Sequence, residues 1–454
     1  MLQTTLEKAA FGSRGTLYVP ETAQIPVSGI STDSRTVQKS NLYIPLIGAR
    51  ADGHDYLDSA VNNGAAASLW QKDHTPYPEN VPLILVDDTL EAMQNLAEFW
   101  LAEVNPVAIG ITGSNGKTST KDMTAAILSR LGKTQKTQGN HNNEIGLPMT
   151  ILDLDADTKY AVLEMGMENF GEIAFLCSIA PLDAAIITTI GSAHLENLGS
   201  RLNIARAKAE IIDGLHDQGI LVYIKESCEL QQAMQEKEIP EGVRTVAFGE
   251  GTDWSAQNIH VSRDGLSFET DPVRGEISLP CLGEFQISNA LASMALAKNL
   301  GATDEMIIDG LKDVELTPMR GQIVRAGETV IVDDSYKSNP EGAKAALDML
   351  MSVPGSRHVA LLADMLDLGR DSASLHAQVG EYAKEIGVDE LLAYGPESVH
   401  TVDAFGEGGY HFETREDLTE KARDYLQPHY VLLAKGSRAM SMDKTVRELA
   451  GQGD

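Results

Sequence analysis

Apolar residues along the chain fall into two recurring patterns: short continuous runs, and longer stretches with an apolar residue every third or fourth position. The runs predict buried strands at 107–111, 160–163, 184–188, 219–223, 243–248, 330–332, 358–362, 390–394 and 430–435, with an alternating one at 265–269. The periodic stretches predict helices. One covers 90–104, with Met93, Leu96, Ala97, Trp100 and Leu101 on one face, and another starts at Ser119, with Met123, Ile127 and Leu131 in line. Further helices are predicted at 204–215, at 285–300 (apolar face Ile287, Leu291, Met294, Ala295; Gly301 as C-terminal stop), at 341–351 and at 374–386. The first hundred residues read as shorter pieces, with strands at 42–46 and 83–86 and a helix end at 60–67. Asn105-Pro106 ends one region and Pro318 opens the last, giving expected units of 1–104, 105–317 and 318–454. Strand and helix alternate through the second and third units, which predicts an α/β protein with two doubly wound, mostly parallel sheets. No internal repeat or low-complexity segment interrupts the pattern.

The most informative stretch is 107–120, VAIGITGSNGKTST: an apolar strand, a turn of small residues, then Lys117 and Thr118 opening a helix. Strand, glycine turn and helix in this order make a phosphate cradle, because backbone N–H groups and the helix dipole at the N-terminus both favour anions. Lys117 would reach the terminal phosphates and the Thr118 hydroxyl would ligate Mg²⁺. Ile111 stands where the general pattern has its first glycine, with Gly110 and Gly113 on either side. The chain is expected to bind a nucleoside triphosphate.

Other polar clusters fall at predicted strand ends. Glu164 closes the 160–163 strand, where a Mg²⁺ ligand is wanted beside a phosphate loop, although an exposed acid there would be unremarkable alone. His194 follows the 184–188 strand and fits a role near metal or phosphate as well as a structural one. Lys208 sits on a predicted helix, where periodicity reads it as a solvated lysine. The stretch 137–148, TQGNHNNEIGLP, with Asn142 and Asn143, suggests a functional loop in residues that also dominate plain turns. Asp333-Asp334 at a strand end, before the Asn339-Pro340 helix start, read as a ribose or metal site. The 30–35 cluster, with Ser31, Asp33, Ser34 and Arg35, fits a capped pair of turns better than a ligand pocket on the residues alone.

Length and charge then bound the class. A chain of 454 residues exceeds one compact core, and its 43% hydrophobic content is that of an ordinary globular protein. A formal net charge of −30 argues against nucleic acid or an anionic membrane as partner, while leaving room for a small anionic substrate met by local Arg and Lys. No apolar run approaches a bilayer span, the N-terminal segment lacks the pattern of a signal peptide, and Cys177, Cys228 and Cys281 lack metal-ligand spacing. A cytoplasmic protein with reduced thiols is expected.

Together, 112–118 (TGSNGKT), Glu164, Ala193-His194, Ala207-Lys208, Asn289, Arg320, Asp333-Asp334 and 435–437 (KGS) resemble the Mur ligase superfamily over essentially the whole chain. GARADGHDY, TQGNHNNEIGLP, LEMGMENFGEI, DDSYKSNP and ADMLDLG are most similar to its members that add D-alanyl-D-alanine to a UDP-N-acetylmuramoyl-tripeptide. The resemblance implies a UDP-sugar-binding first domain, a central ATPase domain and a Rossmann-like third domain on the nucleotide and dipeptide side. It implies a monomer working in peptidoglycan precursor synthesis, which serves cell shape and division. It places Ser31, Asp33, Ser34, Arg35, Asn142 and Asn143 near the UDP-sugar substrate, and Gly113, Asn115, Gly116, Lys117, Thr118 and Ser119 around ATP. Asn289 would contact adenine, Arg320 the γ-phosphate and Asp334 the ribose. Thr118 and Glu164 would hold one Mg²⁺ and His194 a second. Lys208 matches a lysine that relatives carbamylate into a carboxylate-like metal ligand. Two motifs depart from the family pattern: Lys337-Ser338 replaces Asn-Ala in Tyr-Asn-Ala-Asn-Pro, and Ala363 replaces Gly in Gly-Asp-Met.

The chemistry implied is activation of a peptide carboxylate as an acyl phosphate, then attack by the dipeptide amine, with Lys117, His194, Lys208 and Arg320 as the catalytic set. Another amide ligase of the superfamily would share every ATP-site residue and differ in amine or acceptor. A nucleotide switch would turn over ATP without either substrate.

Overall fold

The computed structural model describes residues 1–366 and 368–451; Asp367, within the 363–369 motif, lies outside the described residues. The central sheet is all parallel, in the order Arg244–Phe248, Leu215–Ile224, Leu182–Ile187, Val107–Thr112, Tyr160–Glu164, Thr134–Lys136. After Val107–Thr112 the chain builds strands to one side and then crosses to the other. The turn that follows Val107–Thr112 therefore lies at the topological switch point, where α/β sheets open a crevice. Its strand is buried on both faces, which is why it reads as an uninterrupted apolar run. The phosphate-loop helix, Lys117–Leu128, packs against Phe285–Asn299 with polar contacts inside the core, among them the Ser293 hydroxyl on the Thr120 carbonyl (3.1 Å). Thr120 Oγ1 donates to Asn289 Oδ1 (3.2 Å), and Thr124 and Ser293 hydroxyls pair at 3.0 Å. A three-stranded antiparallel meander (Gln257–Ser262, Gly265–Thr270, Val273–Leu279) covers the same core.

The last sheet runs Gln322–Ala326, Thr329–Asp333, Tyr430–Lys435, Arg357–Ala363, Glu390–Tyr394, Gly409–Phe412, parallel except for its first strand. Asp333 pairs in register with Ala434, so Asp334 and Lys435 leave adjacent strands side by side. Pro340–Ser352 starts there, with Pro340 in its first turn and the Asn339 carboxamide accepting the Gly342 N–H (2.7 Å).

The first hundred residues form a five-stranded sheet plus a two-stranded one. Thr89–Val104, capped by Asp88 on the Glu91 N–H (2.8 Å), joins this region to the central sheet in one continuous apolar core, and Trp100 Nε1 donates to the Leu154 carbonyl (3.0 Å).

Four local readings need correction. The expected helix end at 60–67 is the helix Leu57–Asn62 followed by a buried strand, Ala67–Gln71. The expected strand at 42–46 is only Leu42–Tyr43, because Pro45 cannot continue a ladder. The helix expected over 204–215 is Arg201–Ala209, then a tight 3₁₀ segment, Glu210–Gly214, before Leu215 enters a strand. The helix from Lys117 ends at Leu128, short of Leu131.

Candidate functional site

The phosphate loop is shaped by its neighbours. A Cβ on Gly113 would lie 1.9 Å from Thr188 Oγ1, and one on Gly116, whose φ is +84°, would lie 2.2 Å from Asn289 Oδ1. Both positions therefore require glycine. The Thr188 hydroxyl donates to the Asn115 carbonyl (2.6 Å), and the Asn115 N–H donates to Thr189 Oγ1 (3.0 Å). Sequence reading missed these two threonines, although both follow an apolar strand directly. Lys117 Nζ folds back onto the Gly113 carbonyl (2.7 Å).

The loop opens into a cleft of about 1710 Å³ between the C-terminal strand ends of the central and last sheets. Asn115, Gly116, Lys117, Thr118 and Ser119 line it, as do Glu164, His194, Asn289, Arg320 and Asp334, together with Asn142 and Asn143. Glu164 is buried. Its Oε1 accepts from Asn142 Nδ2 (2.8 Å), while Oε2 is buried without a partner among the described residues. Asn289, buried between Thr120 and Gln286, braces the loop as well as lining the cleft. Asp334 accepts from Lys435 Nζ at 2.6 Å, a partner to which sequence reading gave no role. Arg320 stacks over the Tyr336 ring at 4.1 Å, and its Nε is buried and unpartnered among the described residues.

The electrostatics are strongly one-sided. Burial lowers the Lys117 pKa to about 8; Glu164 opposes the shift and Lys337 and Arg320 add to it. Burial, then the charges of Lys337, Lys208 and Lys117, lower His194 to about 4, so its imidazole is neutral at physiological pH. Lys208, expected as a solvated helix lysine on periodicity alone, is 2% exposed, and burial with Lys117 and Lys337 pushes it well below the usual lysine range. An orphaned carboxylate oxygen and a hydroxyl at a helix start are hard donors suited to Mg²⁺ in this cleft, and the neutral imidazole of His194 adds no charge that would repel the ion.

Ser31 and Asp33 line a second cavity of about 670 Å³, between the first sheet and the central sheet's edge. Ser34 and Arg35 line neither cavity: Ser34 is buried with its carbonyl on Asn63 Nδ2 (2.8 Å), and Arg35 is an exposed partner of Asp33. Elsewhere, Asp52, His54 and His74 bring ligand atoms within 4.8 Å of one another. His54 Nε2 accepts the Gln71 N–H (3.4 Å), which leaves the proton on Nδ1 to bond Asp52 (2.7 Å). Both ring nitrogens are thus used in holding two turns together, and neither is free for a metal.

Three family models match the chain: "Mur ligase family, catalytic domain" over residues 26–100, "Mur ligase middle domain" over 111–297, and "Mur ligase, glutamate ligase domain" over 319–438. The chain is 36% identical to the UDP-N-acetylmuramoyl-tripeptide–D-alanyl-D-alanine ligase of Bacillus subtilis, over 99% of both chains. It is 36% identical to the ligase of the same name from Escherichia coli, over 95% of both. Among solved structures, MurF from Acinetobacter baumannii superposes with a TM-score of 0.89 at 29% identity, covering 99% of each chain. MurF from Thermotoga maritima in complex with ADP gives 0.82 at 28%, covering 94% of this chain and 98% of that one.

Proposed function

The chain belongs to the Mur ligase family, and from that premise we propose that it joins D-alanyl-D-alanine to UDP-N-acetylmuramoyl-tripeptide at the expense of ATP, releasing ADP and phosphate. The observation that carries the reading is full-length similarity to ligases of that name, with a phosphate loop facing the Asp334–Lys435 strand ends across one cleft. It is an amide ligase of peptidoglycan precursor synthesis.

A carboxylate does not condense with an amine at neutral pH, because oxide is too poor a leaving group. Transfer of the γ-phosphoryl group to the peptide carboxylate makes an acyl phosphate with a good leaving group. The dipeptide amine attacks it, and the tetrahedral adduct collapses to amide and phosphate. Backbone N–H groups at the start of Lys117–Leu128, with Lys117 and Arg320, hold the transferring phosphoryl group and offset its charge. Thr118, Glu164 and His194 would hold Mg²⁺, whose positive charge would offset the negative charge of the phosphates. Lys208, buried and with its pKa pushed below the usual lysine range by that burial, gives up its proton more readily than a solvated lysine and is suited to react with CO₂; the carbamate would be a further anionic metal ligand. Asn289 and Asp334 face the adenosine side of the cleft in this reading, and Ser31, Asp33, Asn142 and Asn143 the UDP-sugar side. Ser34 and Arg35 would support the turn that carries Asp33. The working units are three, residues 1–104, 105–317 and 318–454, and closure of the third on the second brings the reactants together. We further assign the protein to the cytoplasm, as a monomer. Among the described residues no helix is long and apolar enough to cross a membrane.

The test is phosphate release from Mg·ATP with UDP-muramoyl-tripeptide and D-alanyl-D-alanine added singly and together. Turnover only with both is expected. Acceptance of single amino acids in place of the dipeptide would move the protein elsewhere in the family, and ATP consumption without either substrate would make it a nucleotide switch.

A further inference from the structure

Lys337 is the charged one of the two residues of the Asp333–Pro340 turn, Lys337 and Ser338, that depart from the family pattern, and its placement gives the departure a consequence. It lies in the loop between Thr329–Asp333 and Pro340–Ser352, lines the same cleft as Lys117 and Arg320, and is exposed. The loop is fixed at this point. Lys435 Nζ donates to the Lys337 carbonyl (2.8 Å) and to the Asp334 carboxylate (2.6 Å), tying two strand ends together beneath the side chain. Among the described residues the Lys337 ammonium has no ion-pair partner, while its charge bears on Lys117, His194 and Lys208 across the cleft. A chain with 66 acidic residues against 36 basic ones could readily have paired it. Like charges converging on the cleft, only partly offset by Glu164, raise the free energy of the empty cleft, and a polyanion entering it removes that cost.

We propose that Lys337 is a phosphate-contacting residue, delivered from the last sheet onto the terminal phosphoryl group of the bound nucleoside triphosphate. The proposal rests on the ligase reading above. As the carboxylate oxygen bonds to the γ-phosphorus, the bond from that phosphorus to the bridging oxygen breaks and its electron pair leaves with ADP. Lys117 meets the phosphoryl oxygens from the central side, and Lys337, beside Arg320 and Tyr336, meets them from the opposite wall. Charge at that position favours a triphosphate over a diphosphate, because only the former presents a γ-group there.

The test is calorimetric binding of Mg²⁺ with ADP and with a non-hydrolysable imido triphosphate to the full chain, without acceptor, for wild type, Lys337→Asn and Lys337→Arg. Lys337→Asn is expected to lose about tenfold in triphosphate affinity, the worth of one charge-assisted contact, with ADP affinity unchanged and Lys337→Arg close to wild type. Equal loss for both nucleotides, or none for either, overturns the proposal. So does a raised KM for the dipeptide with the triphosphate preference intact, which would put the charge on a carboxylate instead. Because binding is read without acceptor, failure of the ligase reading appears separately, as absent turnover in the wild type with both substrates.

Discussion

Replacing Lys117 by methionine should stabilise the ligand-free protein while abolishing its turnover. Methionine keeps most of the stem and removes the charge. The lowering of the Lys117 pKa from 10.5 to about 8 is worth about 3 kcal/mol, an upper bound because the side chain is only half-buried and solvent screens part of it. Against that gain stands the bond from Nζ to the Gly113 carbonyl, worth about 1–2 kcal/mol, although water can reach that carbonyl in the open cleft. A net gain of about 1–2 kcal/mol is left, a rise of about 2–8 °C in the melting of a unit of this size.

The pH dependence has a fixed sign. Between pH 8 and 10.5 the unfolded wild type holds a proton that the folded one has lost, so wild-type stability rises with pH across that window and the variant's does not. The advantage of Lys117→Met is therefore full below about pH 8 and fades toward 10.5. Differential scanning calorimetry at pH 7 and pH 10 reads it, and phosphate release with both substrates should fall by at least about 10²–10³-fold. A variant less stable than wild type at pH 7, a gap that widens with pH, or turnover above a tenth of wild type would refute the reasoning.

Glu164→Gln should keep the bond to Asn142 and the fold, yet raise the Mg²⁺ concentration for half-maximal activity severalfold and cut turnover by about 10²-fold; an unchanged Mg²⁺ titration would remove Glu164 from the metal site. Gly116→Ala places a Cβ at positive φ and 2.2 Å from Asn289 Oδ1. It should cost about 1–2 kcal/mol in backbone strain alone and abolish nucleotide binding, so wild-type ADP affinity in that variant would argue against the loop's geometry.

What the sequence disclosed depended on how local each signal was. The phosphate loop was legible because strand, turn and helix are consecutive and each carries its own pattern, and the same holds for Glu164 at the end of an apolar strand. The first region was harder to read because strands such as Leu42–Tyr43 and Ile30–Ser31 are two residues long, too short to show alternation. Ala67–Gln71 is buried throughout, Ser68 and Gln71 included, so its polar residues masked a core strand. Glu172–Ile179 is apolar nearly all round and lacks the two-faced spacing that marks a surface helix. Least legible was Lys208, a lysine on a periodic helix until the fold buries it beside Lys117. Nor does any single segment encode the pairing of Asp334 with Lys435, which only the parallel register of their strands creates.

The distribution of charge across the cleft explains why the site is built from two sheets and left unfinished by either. The last unit is attached to the central one away from the phosphate loop. Arg263, at the turn of the meander, donates to the Glu328 carbonyl (2.6 Å), and buried Asp122 fixes the end of the central unit just before the last one begins, accepting from the Thr317 N–H (2.7 Å) and hydroxyl (2.8 Å). Across the cleft itself Ser192 bonds Glu341, while Lys117 faces the like charges of Arg320 and Lys337. A cleft held from behind and pushed apart in front is drawn shut by a ligand carrying several negative charges. On the proposed reading, triphosphate and metal would supply that attraction where the phosphoryl group must be transferred. Binding energy from the nucleotide would then be directed into bringing the two walls together, so that substrates held on different units would meet when ATP is in place.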